Sequence, residues 1–140
     1  MPRYSETSLK RLNTCCNELQ DTMRRVIQIV DNSILQGYRG EDEQNHYFKT
    51  GRSKLRYPQS KHNSTPSLAV DAAPWPIDWD NTRHFDYFAG IVIATGWGFG
   101  HEIRWGGDWD QDNDLTDQRF NDLVHFEYVG PVIHTTITFT

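Results

Sequence analysis

Leu9, Leu12, Cys16, Leu19, Met23, Val26, Ile27 and Val30 recur at three- and four-residue steps, the spacing that lines one stripe of a helix. The pattern predicts one amphipathic helix over residues 5–30, with Ser5, Thr7 or Ser8 as its cap. Residues 33–38 read as a short strand that leaves Arg39 at a strand end. From Glu41 to Gln59 the chain turns polar, predicting a helix fragment and then a loop rimming a cleft. Residues 68–73 are short and mostly apolar with one charge, Asp71, and predict a strand. Pro74-Trp75-Pro76 breaks regular structure. Phe85, Phe88, Ala89, Val92 and Ile93 return to helical steps, predicting a second helix begun by Asp78, Asp80 or Asn81 and ended near Thr95-Gly96. Ile103-Arg104-Trp105 is strand-like, and Gly106-Gly107 allows a tight turn. Residues 132–139 alternate at period two and predict a terminal strand.

Two main helices and several short strands imply an α+β fold. A small, mostly antiparallel sheet would carry Asp71 and His125 on neighbouring strands, with both helices packed on one face. The 140 residues suit a single domain with a core of its own, and no repeat or linker divides them. A net charge of −5 argues against a nucleic-acid partner, which would want a basic face. Tyr87 to Ala94 is the longest apolar run and is far shorter than a membrane span. The first residues lack the basic and apolar regions of a secretory signal, so synthesis and retention in a cytoplasm are expected. Cys15 and Cys16 are adjacent, and free, reduced, structural thiols are expected. The five tryptophans are expected mostly in the core, with a cleft wall as the second reading. Gly96, Gly98 and Gly100 imitate a nucleotide loop, but a helix precedes them and a strand follows, the reverse of the dinucleotide fingerprint.

The candidate chemistry lies in two distant stretches. His62, Asp71 and His125 supply two imidazoles and a carboxylate, enough to hold zinc through three protein ligands and leave a fourth position for water. Asp71 sits in an apolar run, where a carboxylate needs a partner or a cation. Asp122 is the candidate to move a proton. It stands three residues before His125, and such a pair shares a face only where the backbone turns. A turn or helical end is therefore expected at residues 120–124, with a strand starting near His125. Asp108, Asp110, Asp112 and Asp114 alternate, but a calcium loop opened at Asp110 would meet Leu115 where glycine belongs and Asn121 where glutamate belongs. A solvated acidic turn is the favoured reading, with a non-standard Ca2+ site as the minor alternative. Lys49, Arg52, Lys54 and Arg56 read first as a solvated basic face, and Arg39 as a surface ion pair.

The strings Ser60-Lys61-His62-Asn63, Pro66 to Asp71, Trp105 to Trp109 and Asp122 to Glu127 resemble the zinc peptidases of the VanY-like D-alanyl-D-alanine carboxypeptidase and phage L-alanyl-D-glutamate endopeptidase family. Gln36-Gly37-Tyr38-Arg39 is similar to a further segment of that family. The resemblance implies a DD-peptidase or hedgehog-like fold, His62, Asp71 and His125 as Zn2+ ligands, and Asp122 as catalytic acid/base. It also implies that Arg39 steadies an oxyanion or a substrate carboxylate. Ser60, Gln44, Asp108 and Trp109 are weaker candidates for substrate contact, Asp108 and Trp109 by the resemblance alone. The stretch from His62 to Asp71 is longer here than in the family's commonest form. The activity implied is that of a phage-type endolysin cutting the L-Ala-D-Glu bond of peptidoglycan stem peptides, working as a monomer without a separate wall-binding domain after release from the cell that made it. A D-Ala-D-Ala carboxypeptidase is the alternative, and a non-catalytic metal-binding relative is third.

Overall fold

Four antiparallel strands in the order β1-β2-β4-β3 carry the molecule. They are β1 (Asn32–Gln36), β2 (Ala69–Pro74), β3 (His101–Gly106) and β4 (Asp122–Pro131). Among the described residues the helices are α1 (Glu6–Leu12), α2 (Asn17–Ile29), α3 (Glu41–Lys49) and α4 (Thr82–Gly98), with one 3-10 turn at Lys61–Asn63. The computed structural model describes residues 2–116 and 121–133. The α+β expectation holds, with α2 and α4 packed on the sheet and on each other.

Strand alternation divides the sheet into two faces. Val70, Ala72, Ile103, Trp105 and Phe126 point into the core, where they meet Leu19, Met23 and Val26 of α2 and Phe88, Ala89 and Val92 of α4. The residues between them, Asp71 on β2 and His125 and Glu127 on β4, fall on the opposite face. The register sets Asp71 directly across from His125. One face is thus core and the other is left for polar side chains.

Several expectations need correction. The single helix over 5–30 is two helices, broken at residues 13–16. There Cys16 N–H donates to Ser67 O at 2.9 Å and Ser67 N–H donates to Thr14 O at 2.9 Å. A backbone paired to another segment cannot also continue a helical ladder, yet both helices bury the same stripe, so the periodicity runs through the break. Ser5 caps α1 through its hydroxyl. The strand expected over 33–38 ends at Gln36, so Arg39 stands three residues past its end rather than at it. Only Trp105 of the tryptophans is buried; Trp75, Trp79 and Trp97 are exposed and Trp109 is half-buried, because phenylalanine and aliphatic side chains fill the core. The second helix begins after Asn81 as expected and runs to Gly98. Cys15 and Cys16 are free and buried. The expected terminal strand falls, from residue 134 onward, outside the described residues. Among the described residues, no helix is long and apolar enough to cross a membrane.

Candidate active site

Ser60 starts the site. Its hydroxyl accepts from His62 N–H at 3.2 Å while Asn63 Oδ1 accepts from Ser60 N–H at 3.0 Å, a reciprocal cap that closes the Lys61–Asn63 turn. Asn63 Nδ2 also donates to Arg39 O at 2.9 Å, and Arg39 N–H donates to His62 O at 2.8 Å. The turn is thereby tied to the segment after β1. His62, only 1% exposed, donates through Nδ1 to Gly37 O at 2.7 Å. That bond leaves Nε2 to face Asp71 Oδ1, 3.0 Å away.

His125 approaches the same oxygen from the neighbouring strand, with Nδ1 3.4 Å from Asp71 Oδ1. The ligand atoms of His62, Asp71 and His125 all lie within 4.8 Å of one another. Two atoms on a tetrahedral metal with bonds of about 2.0 Å stand about 3.3 Å apart. The separations of 3.0 and 3.4 Å lie close to that edge, so the cluster fits a metal ion. Burial opposes charge on Asp71, but the facing His62 and His125 imidazoles prevail and hold its carboxyl well below the ordinary range. Burial pushes His125 down, but hydrogen bonding to Asp71 and Glu127 outweighs it and raises the imidazole to about 9.

Asp71's other oxygen belongs to Arg39, whose Nη2 stands 3.5 Å from Oδ2. Arg39 is itself fixed: Nε and Nη2 donate to Gln36 Oε1 at 2.9 and 2.6 Å, Nη1 donates to Gln44 Oε1 at 2.9 Å, and the guanidinium lies 4.6 Å over the Tyr47 ring. The solvated ion pair expected for Arg39 is instead a buried brace. Gln44 is fully buried and donates to Leu55 O at 2.6 Å. It supports Arg39 from behind and does not reach the cleft, against the expectation that it touches substrate.

Asp122 reaches the site by a distortion of β4. Trp105 pairs with Phe126, but the next residue of β3, Gly106, pairs with Asp122. The three residues between have no partner on β3, so the strand bulges and re-aims its side chains. Residue 120 lies outside the described residues; from 121 on, the expected turn is a bulge within a strand that already begins at Asp122. Gly106 permits it, since a Cβ there would lie 2.1 Å from Asp122 O. Trp105 Nε1 donates to Leu123 O at 2.9 Å and pins the bulged backbone. Burial raises the Asp122 carboxyl above its ordinary value, with the Asp71 charge adding to the effect.

These groups open on a cleft of about 950 Å³ that Ser60, His62, Asp71, Asp122, His125 and Arg39 all line. Trp79 and Trp109 form part of its wall, and the Trp109 ring stands 5.2 Å from that of His125. Asp108 is not among the lining residues. It faces a smaller hollow beside Trp97 and Ile103, and its carboxylate lies close to those of Asp110 and Asp112. The sequence reading passed over Glu127, which is buried and bound to His125. The signal was present in the strand alternation, which puts residues two apart on one face.

A buried pair of imidazoles with a shared carboxylate, a nearby carboxyl of raised pKa and a braced guanidinium, all opening on one cleft, define a hydrolase. The family description "Phage L-alanyl-D-glutamate peptidase" matches residues 1–129, and the chain belongs to that family. It is 30% identical over 121 residues to the L-alanyl-D-glutamate peptidase of Escherichia phage T5, covering 83% of this chain and 88% of the relative. It is 30% identical over 117 residues to the peptidoglycan L-alanyl-D-glutamate endopeptidase CwlK of Bacillus subtilis, covering 71% of this chain and 62% of that one. Its fold is similar to that of the Serratia marcescens L-Ala D-Glu endopeptidase ChiX, with a TM-score of 0.70 over 91% of both chains at 21% identity.

Proposed function

We propose that the chain is a zinc-dependent endopeptidase that cuts the L-Ala-D-Glu bond of peptidoglycan stem peptides and so degrades the bacterial cell wall. The observation carrying this reading is the convergence of His62 Nε2, Asp71 Oδ1 and His125 Nδ1 on one side of an open cleft. Two neutral imidazoles and one carboxylate suit zinc. When bound there, zinc supplies a water acidified toward neutral pH and a Lewis acid for a carbonyl.

The protein's own groups do the rest. Asp122 takes a proton from the nucleophilic water and returns it to the leaving nitrogen; its raised pKa brings it closer to the pH at which it works. Arg39 holds Oδ2 of Asp71, so that the carboxylate presents Oδ1 alone. Its guanidinium also lends positive potential to the part of the cleft where an oxyanion forms. Trp109 and Trp79 offer flat apolar walls to a peptide. Ser60 serves the site mainly by shaping the turn that carries His62.

Digestion of purified peptidoglycan with zinc-loaded protein, followed by mass identification of the new termini, tests the assignment. Stem peptides with a free N-terminal D-glutamate are expected. Released D-alanine without them would convert the reading to a D,D-carboxypeptidase, and an undigested wall would leave only a metal-binding relative. The solvated acidic turn favoured from the sequence has Ca2+ as its minor alternative, and one observation supports that alternative. Asp108 is 7% exposed and its Oδ1 is buried without a hydrogen-bond donor, beside the carboxylates of Asp110 and Asp112. A hard cation such as Ca2+ would satisfy that oxygen. Calorimetric titration of Ca2+ into zinc-loaded protein is expected to show a binding event that Asp108→Asn removes.

A further inference from the structure

Glu127 has no share in the chemistry above, yet it is only 3% exposed and both of its carboxylate oxygens are engaged. Oε1 accepts from His125 Nε2 at 2.8 Å, and Oε2 accepts from Arg104 Nη2 at 2.6 Å. The sheet dictates this trio. His125 and Glu127 are two apart on β4 and share its polar face, and Arg104 of β3 stands directly opposite Glu127 in the register. We propose that Glu127, braced by Arg104, is a positioning residue that holds the His125 proton on Nε2 and thereby presents a bare Nδ1 to the metal.

A neutral imidazole carries one proton, and whichever nitrogen keeps it cannot bind a metal. A carboxylate behind the ring settles the question and makes the ligand a stronger donor. A buried carboxylate is costly by itself. It also adds a negative charge beside Asp71, which would weaken the Lewis acidity of any ion held there. Arg104 answers both problems by pairing with the far oxygen. The two histidines are therefore unlike: His62 leans on the neutral carbonyl of Gly37 and offers Nε2, whereas His125 leans on a carboxylate and offers Nδ1.

This inference rests on the zinc reading, and the test separates the two. Zinc affinity is measured by competition with a chromophoric chelator for wild type, Glu127→Ala and Glu127→Gln, and imidazole nitrogens are followed by 15N NMR in the zinc-loaded proteins. In wild type, His125 is expected to show metal on Nδ1 and a slowly exchanging proton on Nε2. Glu127→Ala is expected to weaken zinc ~10–100-fold and to lose that slow proton. Glu127→Gln, whose amide oxygen still accepts, is expected to recover most of the affinity. Should Glu127→Ala fail to fold, Glu127→Gln and Arg104→Met carry the test through the same proton signal, which Glu127→Gln retains and Arg104→Met weakens. Wild-type metal on Nε2 of His125, or Glu127→Ala affinity within about twofold of wild type, would overturn the inference. A wild type that binds no zinc would instead overturn the zinc reading on which it stands.

Discussion

Asp122 and His125 carry the sharpest consequences at the scale of single residues. On the proposed mechanism, Asp122→Asn removes the proton carrier while keeping its shape, and kcat is expected to fall by ~10²–10⁴-fold with zinc content unchanged by metal analysis. Asp122 must be ionised to accept a proton, and burial raises its pKa. The acid limb of kcat/KM is therefore expected above the ordinary carboxylate range, and Asp122→Asn is expected to abolish that limb. His125 works in the opposite sense. In the metal-free protein its pKa is raised from 6.5 to about 9, so its contribution to stability is complete below its unfolded value and lost as pH rises through about 9. On the proposed zinc reading, the ion would have to displace that proton. Apparent zinc affinity is accordingly expected to strengthen ~tenfold per pH unit until His125 titrates, then to level off, as competition titrations across pH would register.

The elements matter because they decide which side chains meet. The bulge in β4 brings Asp122 into the cleft that His125 lines, and Gly106 leaves room for it. Gly106→Ala would force a Cβ against the Asp122 backbone. It is expected to cost ~1–3 kcal/mol of stability by denaturant unfolding and to lower kcat by displacing Asp122. Gly37→Ala meets a similar obstacle, with Thr14 Oγ1 at 2.2 Å and Arg11 O at 2.3 Å, and would move the carbonyl that orients His62. Helical periodicity announced the stripes of α1, α2 and α4 because one buried face leaves a regular mark. It concealed the break at residues 13–16, where pairing with Ser67 interrupts the ladder without changing which residues are buried. The bulge was equally hidden: a spacing of three implied a bend, but not one built inside a strand.

At the scale of the whole molecule, the site joins β2, β4, the turn before β2 and the segment after β1, so a bound metal ties together parts distant in the chain. Zinc held in excess of its dissociation constant by ~1,000-fold should stabilise the fold by ~4 kcal/mol. A chelator is then expected to lower Tm by on the order of 10 °C and to abolish hydrolysis, with both restored by added zinc. Scanning calorimetry with and without chelator reads the first effect, and wall digestion reads the second.

The sequence supplied the candidate chemistry. Asp71 stands out as a charge in an apolar run, and the short local motifs that resemble the family single out His62, Asp122 and His125. It also determined the class of fold, since periods of two and of three to four residues translate directly into strands and helices. Tertiary structure alone decided which nitrogen of each histidine faces inward, that Arg39 is a buried brace and Gln44 its support, that Asp108 turns away from the cleft, and that Glu127 backs His125. Those outcomes depend on strand register and on contacts between segments far apart in the chain, where a shift of one residue would send each side chain to the other face.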